Sequence, residues 1–316
     1  MTPLAHTGLV VGGCSVTVWS AVASATANAT LAAVLAGFMI NGIILVLGNT
    51  TVMRAEYVQA LTLMFAAFVA LGLDAFLFGI VTGESTNVIH GVTACRRAWT
   101  ESMFAAGLLG IGAVAIVASF IVLFSAYLPN AKHAGSEWMP SLEMLDRLSS
   151  LIRGGVAVGV VAFLYLTARS YLQAVFTGRV PILGKLFLIG YVIIGGAAVV
   201  VMTAATALAG VDNDIAKFLR VDDKKQLTAA LSFAIWASVI YTVLSALMTA
   251  VAASISARLW NPAYPGVRVI IAVTVAWVSV VSLVPLLFLL YRTVPGLAKP
   301  LPDADPAPGP AAIKND

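Results

Sequence analysis

The chain has 316 residues, 60% of them hydrophobic and 10% charged, with a mean hydropathy of +0.99 and a formal net charge of +4. A soluble domain is about 25% charged, so these proportions exclude a water-covered globular protein of this size. They also speak against a nucleic-acid binder, because no long basic run occurs, and the small positive excess fits anionic lipid head groups instead. A membrane β-barrel would show alternating segments of about ten residues, whereas the apolar runs here are long and continuous. The expected fold is all-α: a polytopic transmembrane helical bundle with membrane lipids around it.

Residues 1–26 form an N-terminal segment, weakly apolar and rich in Gly, Ser, Thr and Ala. No Lys or Arg precedes Arg54, so the segment does not read as a cleavable signal peptide. No Pro falls between residues 16 and 48, which allows it to be a helical extension of the first span. A span needs about 20 residues at about 1.5 Å each. By that measure seven stretches qualify, at roughly 27–48, 57–82, 102–128, 154–177, 184–210, 228–256 and 267–291, within a bundle over 27–295. Two connectors carry short amphipathic patterns. Ser141 to Ile152 spaces Leu142, Leu145, Leu148, Leu151 and Ile152 at helical intervals, and Asp212 to Gln226 does so with Ile215, Phe218 and Leu219. Both read as helices lying in the interface. Residues 296–316 are Pro-rich and polar, and read as a disordered tail.

Lys and Arg divide unevenly between the two faces that seven spans create. The N-terminal face holds Arg96, Arg97, Arg179, Lys185, Arg258 and Arg268, while the opposite face holds nearly twice as many. The positive-inside rule then places the N-terminus outside and the C-terminus inside, in a plasma (inner) membrane.

Asp74 stands out within the second span, with at least eight apolar or small residues on each side. An acid near a bilayer centre costs roughly 3 kcal/mol, so something must neutralise it or use it. Arg169 in the fourth span has the opposite charge at nearly the same depth from the same face, which suggests an intramembrane pair between Asp74 and Arg169. Such a pair either locks two helices in register or serves an ion, proton or substrate path; the alternative is that Arg169 snorkels to the interface. Asn41 and Tyr165 are candidates for extending a polar network.

Cys14 and Cys95 are the two cysteines, and both belong to the N-terminal face with His6 and His90. They can form one disulfide or remain unpaired thiols; the spacing of these groups matches no compact zinc motif, so no metal is expected. Arg97 and Glu101 have i,i+4 spacing beside Trp99, which reads as an anchor at head-group level. Gly155 and Gly159 form a GxxxG in the fourth span that permits close helix packing.

No phosphate-binding G-x-x-x-x-G-K-[ST], H-E-x-x-H or G-x-S-x-G occurs, so nothing nominates catalytic residues or a cofactor. The last span has no lysine to hold retinal. AAVLAGFMINGIILV in the first span, with RRAW on the second connector, resembles the first three helices of Orai-type calcium channels. The acidic filter residue of that family falls here on Leu45, and that family has four spans, so the resemblance implies no calcium pore. The expected function is a transporter or channel for a small solute or ion. The alternatives are a non-catalytic membrane subunit, homo-oligomeric or bound to another membrane protein, and a lipid-binding or lipid-modifying protein.

Overall fold

A computed structural model describes residues 15–16, 19–49, 55–83, 91–132, 139–176, 180–208, 224–254, 265–281, 284 and 287. The long apolar runs form seven helices among these residues: α1 (Ala21–Asn49), α2 (Ala55–Gly83), α3 (Gly91–Lys132), α4 (Met139–Val175), α5 (Ile182–Leu208), α6 (Lys224–Ser254) and α7 (Pro265–Val281). Four stretches are long and apolar enough to cross a membrane: Ala21–Gly48, Tyr57–Gly83, Ala94–Phe124 and Leu151–Val175. This supports a multi-pass membrane protein. In α5, α6 and α7 the apolar stretches among the described residues are shorter, at 10–17 residues.

Several boundaries follow from local chemistry. Ser20 caps α1, its hydroxyl accepting from the Ala23 N–H at 3.3 Å. Pro265 opens α7, and Pro140 lies in the first turn of α4, where a missing N–H costs nothing. Ahead of α1, β1 (Ser15–Val16) and β2 (Trp19–Ser20) pair antiparallel, with Val16 opposite Trp19. Among the described residues of the N-terminal segment, helix begins at Ala21, directly after this strand pair. The expected interfacial helix at 141–152 is not a separate element either. Its backbone runs without a break into α4, straight through Gly154 and Gly155 at the junction of the amphipathic and apolar stretches. The other expected interfacial helix lies outside the described residues apart from the start of α6, and the 296–316 tail lies wholly outside them.

α3 is the axis. Its 42 residues span about 63 Å, and 72% of its apolar window is buried, against 22% for α1. It packs against α2, α4, α6 and α7, while α1 leans on α2 and α5 lies against α4 and α7. Small residues permit this crowding. A side chain at Gly107 would strike Tyr241 of α6 and approach the Ser279 carbonyl of α7, and one at Gly112 would meet Leu71 of α2 at 2.6 Å. Gly155 and Gly159 behave differently: both are exposed and have no neighbour within 4 Å, so among the described residues the GxxxG brings no helix close.

Most hydroxyls in the apolar layers bond back to their own helix. Thr62 donates to the Val58 carbonyl, Thr167 to Phe163 and Ser279 to Val275. These groups are spent on their own backbone. Among the remaining buried polar groups of the described residues, two regions are candidates for a site.

Candidate functional site

The first region is Asp74. Its side chain follows from α2's inward stripe, where Ala70, Asp74, Leu77, Phe78 and Val81 recur at helical spacing and are all buried. Apart from Asp74, every member of that stripe belongs to the central apolar cluster, with Ala105, Ala106 and Leu108 of α3 and Tyr241 of α6. Asp74 is 0% exposed, and neither carboxylate oxygen has a hydrogen-bond partner. It lies nine residues before the last residue of α2, roughly 13 Å along the helix. An ionised carboxylate enclosed this way costs several kcal/mol, so a proton, a cation or water must relieve it.

Arg169 does not supply that relief. The inward stripe of α4 runs Arg153, Ala157, Val160, Leu164, Ala168, Tyr171, Leu172 and Val175. Arg169 falls off it and is exposed on the outer face, in line with Leu151, Val158 and Leu166. Depth along the helix matches Asp74; direction around the helix does not. Asn41 is also exposed, and Gly42 packs beside Met64, which places Asn41 about 13 Å along α2 from Asp74. Tyr165 stacks on Tyr191 of α5, with ring centroids 6.2 Å apart, and the Tyr191 hydroxyl donates to the Val161 carbonyl at 2.8 Å. Asp74, Arg169, Asn41 and Tyr165 are not brought together.

The second region lies where the beginning of α3, the end of α4 and the beginning of α7 converge. Arg96 is buried, Glu101 is fully buried, and Arg97 Nε lies 3.3 Å from Glu101 Oε1 in an i,i+4 ion pair whose angles are not those of a hydrogen bond. Arg268 of α7 places its guanidinium 5.4 Å from the ring centre of Phe176 and is close enough to Arg96 for the two to repel. Trp99 is not a head-group anchor. It is packed inside with Met103, Phe104, Tyr171 and Phe176. Cys95, one residue before Arg96, is disulfide-bonded; the chain's other cysteine, Cys14, lies outside the described residues, as do His6 and His90. No group of His, Cys, Asp and Glu suited to a metal occurs among the described residues.

Charge readings near helix ends thus needed correction. Glu101 and Arg96 read as interface or connector residues in the sequence, yet both are buried, as is Arg153 near the start of the apolar part of α4. The available signal was helical phase: Arg153 lies four residues before Ala157, on the stripe that continues to Leu164 and Ala168. No protein-family model matches the chain, and neither a curated protein nor a solved structure matches it.

Proposed function

We propose that this membrane protein is a transporter or channel for a small ion or solute, and that Asp74 lies on its path. The supporting observation is the isolation of that carboxylate: fully buried, mid-helix, with neither oxygen hydrogen-bonded and no ion pair to Arg169. A structural acid would be expected to have a fixed countercharge. One that lacks it suits an exchangeable partner, a proton or a cation, which is the common role of intramembrane acids. The same reading takes α5, α6 and α7 as spans, giving seven, with the N-terminus outside. The bonded state of Cys95 favours that orientation, because disulfides persist in oxidising compartments.

The test is ion or proton flux into proteoliposomes. Wild-type protein should support flux driven by a gradient, and Asp74→Asn should abolish it while inserting normally. Flux that survives Asp74→Asn would sink the proposal.

A second reading, a non-catalytic subunit, draws on α1. Its outward face shows Leu31, Phe38, Ile44 and Leu45, the last three more than 60% exposed. Under that reading the protein would co-purify with a membrane partner that α1 substitutions release.

A further inference from the structure

We infer, resting on the reading of Asp74 and of α6 as a span proposed above, that the inward face of α6 lines the cation route on which Asp74 lies. Ser238, Tyr241 and Ser245 are the residues of that face.

α6 is built the other way round from its neighbours. Among its described side chains the buried ones are Ser238, Tyr241 and Ser245, at 2%, 5% and 0% exposure. Steps of three and four residues put all three on one side of the helix. Each carries a hydroxyl. The other side is apolar, with Trp236, Ile240 and Val243 more than half exposed. In α2 and α3 the buried positions are mostly apolar instead. A helix with hydroxyls inward and apolar side chains outward suits lipid on one side and a polar path on the other.

This face stands at the level of Asp74. α6 packs against both α2 and α3, and Tyr241 shares a packed cluster with Ala70, Leu77 and Phe78, the neighbours of Asp74 on its stripe. Only residues 84–90 separate α2 from α3, so the two helices run in opposite directions along each other. Gly112 of α3 meets Leu71 of α2. From that contact Asp74 lies three residues onward along α2, and Gly107 lies five residues back along α3. These steps are about 4.5 and 7.5 Å in the same direction. The Tyr241 hydroxyl fills the space over Gly107, where the Ser279 carbonyl of α7 also closes in. It therefore stands within about 3 Å of the depth of Asp74.

What this face can pass follows from its chemistry. Hydroxyl oxygens replace water around a cation, and a hydroxyl that both accepts and donates can hand on a proton. All three residues are nearly closed to water, so the cation travels without its full hydration shell.

The test is thiol accessibility in the full-length protein in liposomes. Cysteines are placed singly on the inward face, as Ser238→Cys and Ser245→Cys, and on the outward face, as Val239→Cys and Val243→Cys. The probe is the silver ion, a small monovalent cation that bonds thiols, and the thiol left over is counted with a maleimide after denaturation. Cys95 is disulfide-bonded, so the unsubstituted protein serves as the blank. The inward cysteines should react at least tenfold faster than the outward ones. Equal rates make the hydroxyl face a matter of packing and overturn the inference; the reading of Asp74 then still stands if Asp74→Asn abolishes flux. Fast inward rates with flux intact in Asp74→Asn keep the α6 route and overturn the reading of Asp74 instead. Wild-type flux under a proton gradient without alkali cations identifies the passing cation as a proton, and flux that needs Na⁺ or K⁺ identifies it as that ion. If the inward cysteine variants do not insert, Tyr241→Phe decides. It keeps the ring over Gly107, and its flux should fall roughly tenfold; unchanged flux overturns the inference.

Discussion

Glu101 and Asp74 are both fully buried acids in the apolar part of the bundle, and their surroundings are opposites. Glu101 projects from the axial helix into a region of arginines, with Arg97 3.3 Å away. Asp74 projects from α2 into Ala, Leu and Phe side chains, and its oxygens touch no donor. The difference teaches what each residue can be for. Glu101 has a charged partner one turn away on its own helix, so its burial is compensated within the fold. Asp74 balances nothing, so the fold gains little from it, and its retention points to use.

Substitutions should separate the two regions by size and kind of effect. The largest loss is expected for Glu101→Gln, which removes the fully buried carboxylate that Arg97 pairs with; because Arg97 is partly exposed, the loss should be below the figure for a fully buried pair, at about 1–3 kcal/mol. Size-exclusion profiles and thermal midpoints of the solubilised protein should show loss of folded material. A Glu101→Gln protein as stable as wild type would erase the contrast.

Gly107→Ala comes next. Its new methyl group would press on Tyr241 and the Ser279 carbonyl where α3, α6 and α7 meet, and overpacking of this kind costs about 1–3 kcal/mol. Pairing it with Tyr241→Phe should recover part of the loss, read as a less-than-additive fall in midpoint.

Asp74→Asn should change stability by less than about 1 kcal/mol in either direction, since no contact of the carboxylate is lost. Flux alone should disappear. A large drop in midpoint would show that Asp74 holds the fold after all, and would align it with Glu101.

The smallest effect is expected for Arg169→Gln, within about 0.5 kcal/mol, as for other outward positions. Exchanging the two charges, Asp74→Arg with Arg169→Asp, should not rescue anything. Rescue would restore the pairing that matching depth suggested.

Much of the architecture was legible in the residues. Long apolar runs mark all seven helices, four of them of span length among the described residues, and three helix starts fall at or beside Ser20, Pro140 and Pro265. Asp74 was visible for the same reason: one acid in an uninterrupted apolar run is conspicuous without any structure. Its surroundings were not visible. Depth can be counted along a chain, but the direction of a side chain around its helix depends on which face packs inward. In the part of α4 from 154 to 168 nearly every position is apolar or small, so Arg169 could be turned either way. The arginine region was hidden for a related reason. Arg96 and Arg268 are far apart in sequence and near helix ends, where charges are usually solvated, and the packing of α7 against α3 is what encloses them. The interface helix expected at 141–152 failed differently: its amphipathic pattern is real, but a pattern does not show where a helix stops.

The most direct measurement on the central claim is carboxyl modification of the membrane-embedded protein with dicyclohexylcarbodiimide. This apolar reagent attacks protonated acids that water-soluble reagents do not reach, and the modified residue is located by mass spectrometry. An Asp74 that exchanges protons or cations along a path should be labelled, lose flux as labelling proceeds, and be protected by the transported ion. Absence of label on Asp74, or full labelling with flux intact, would contradict the account.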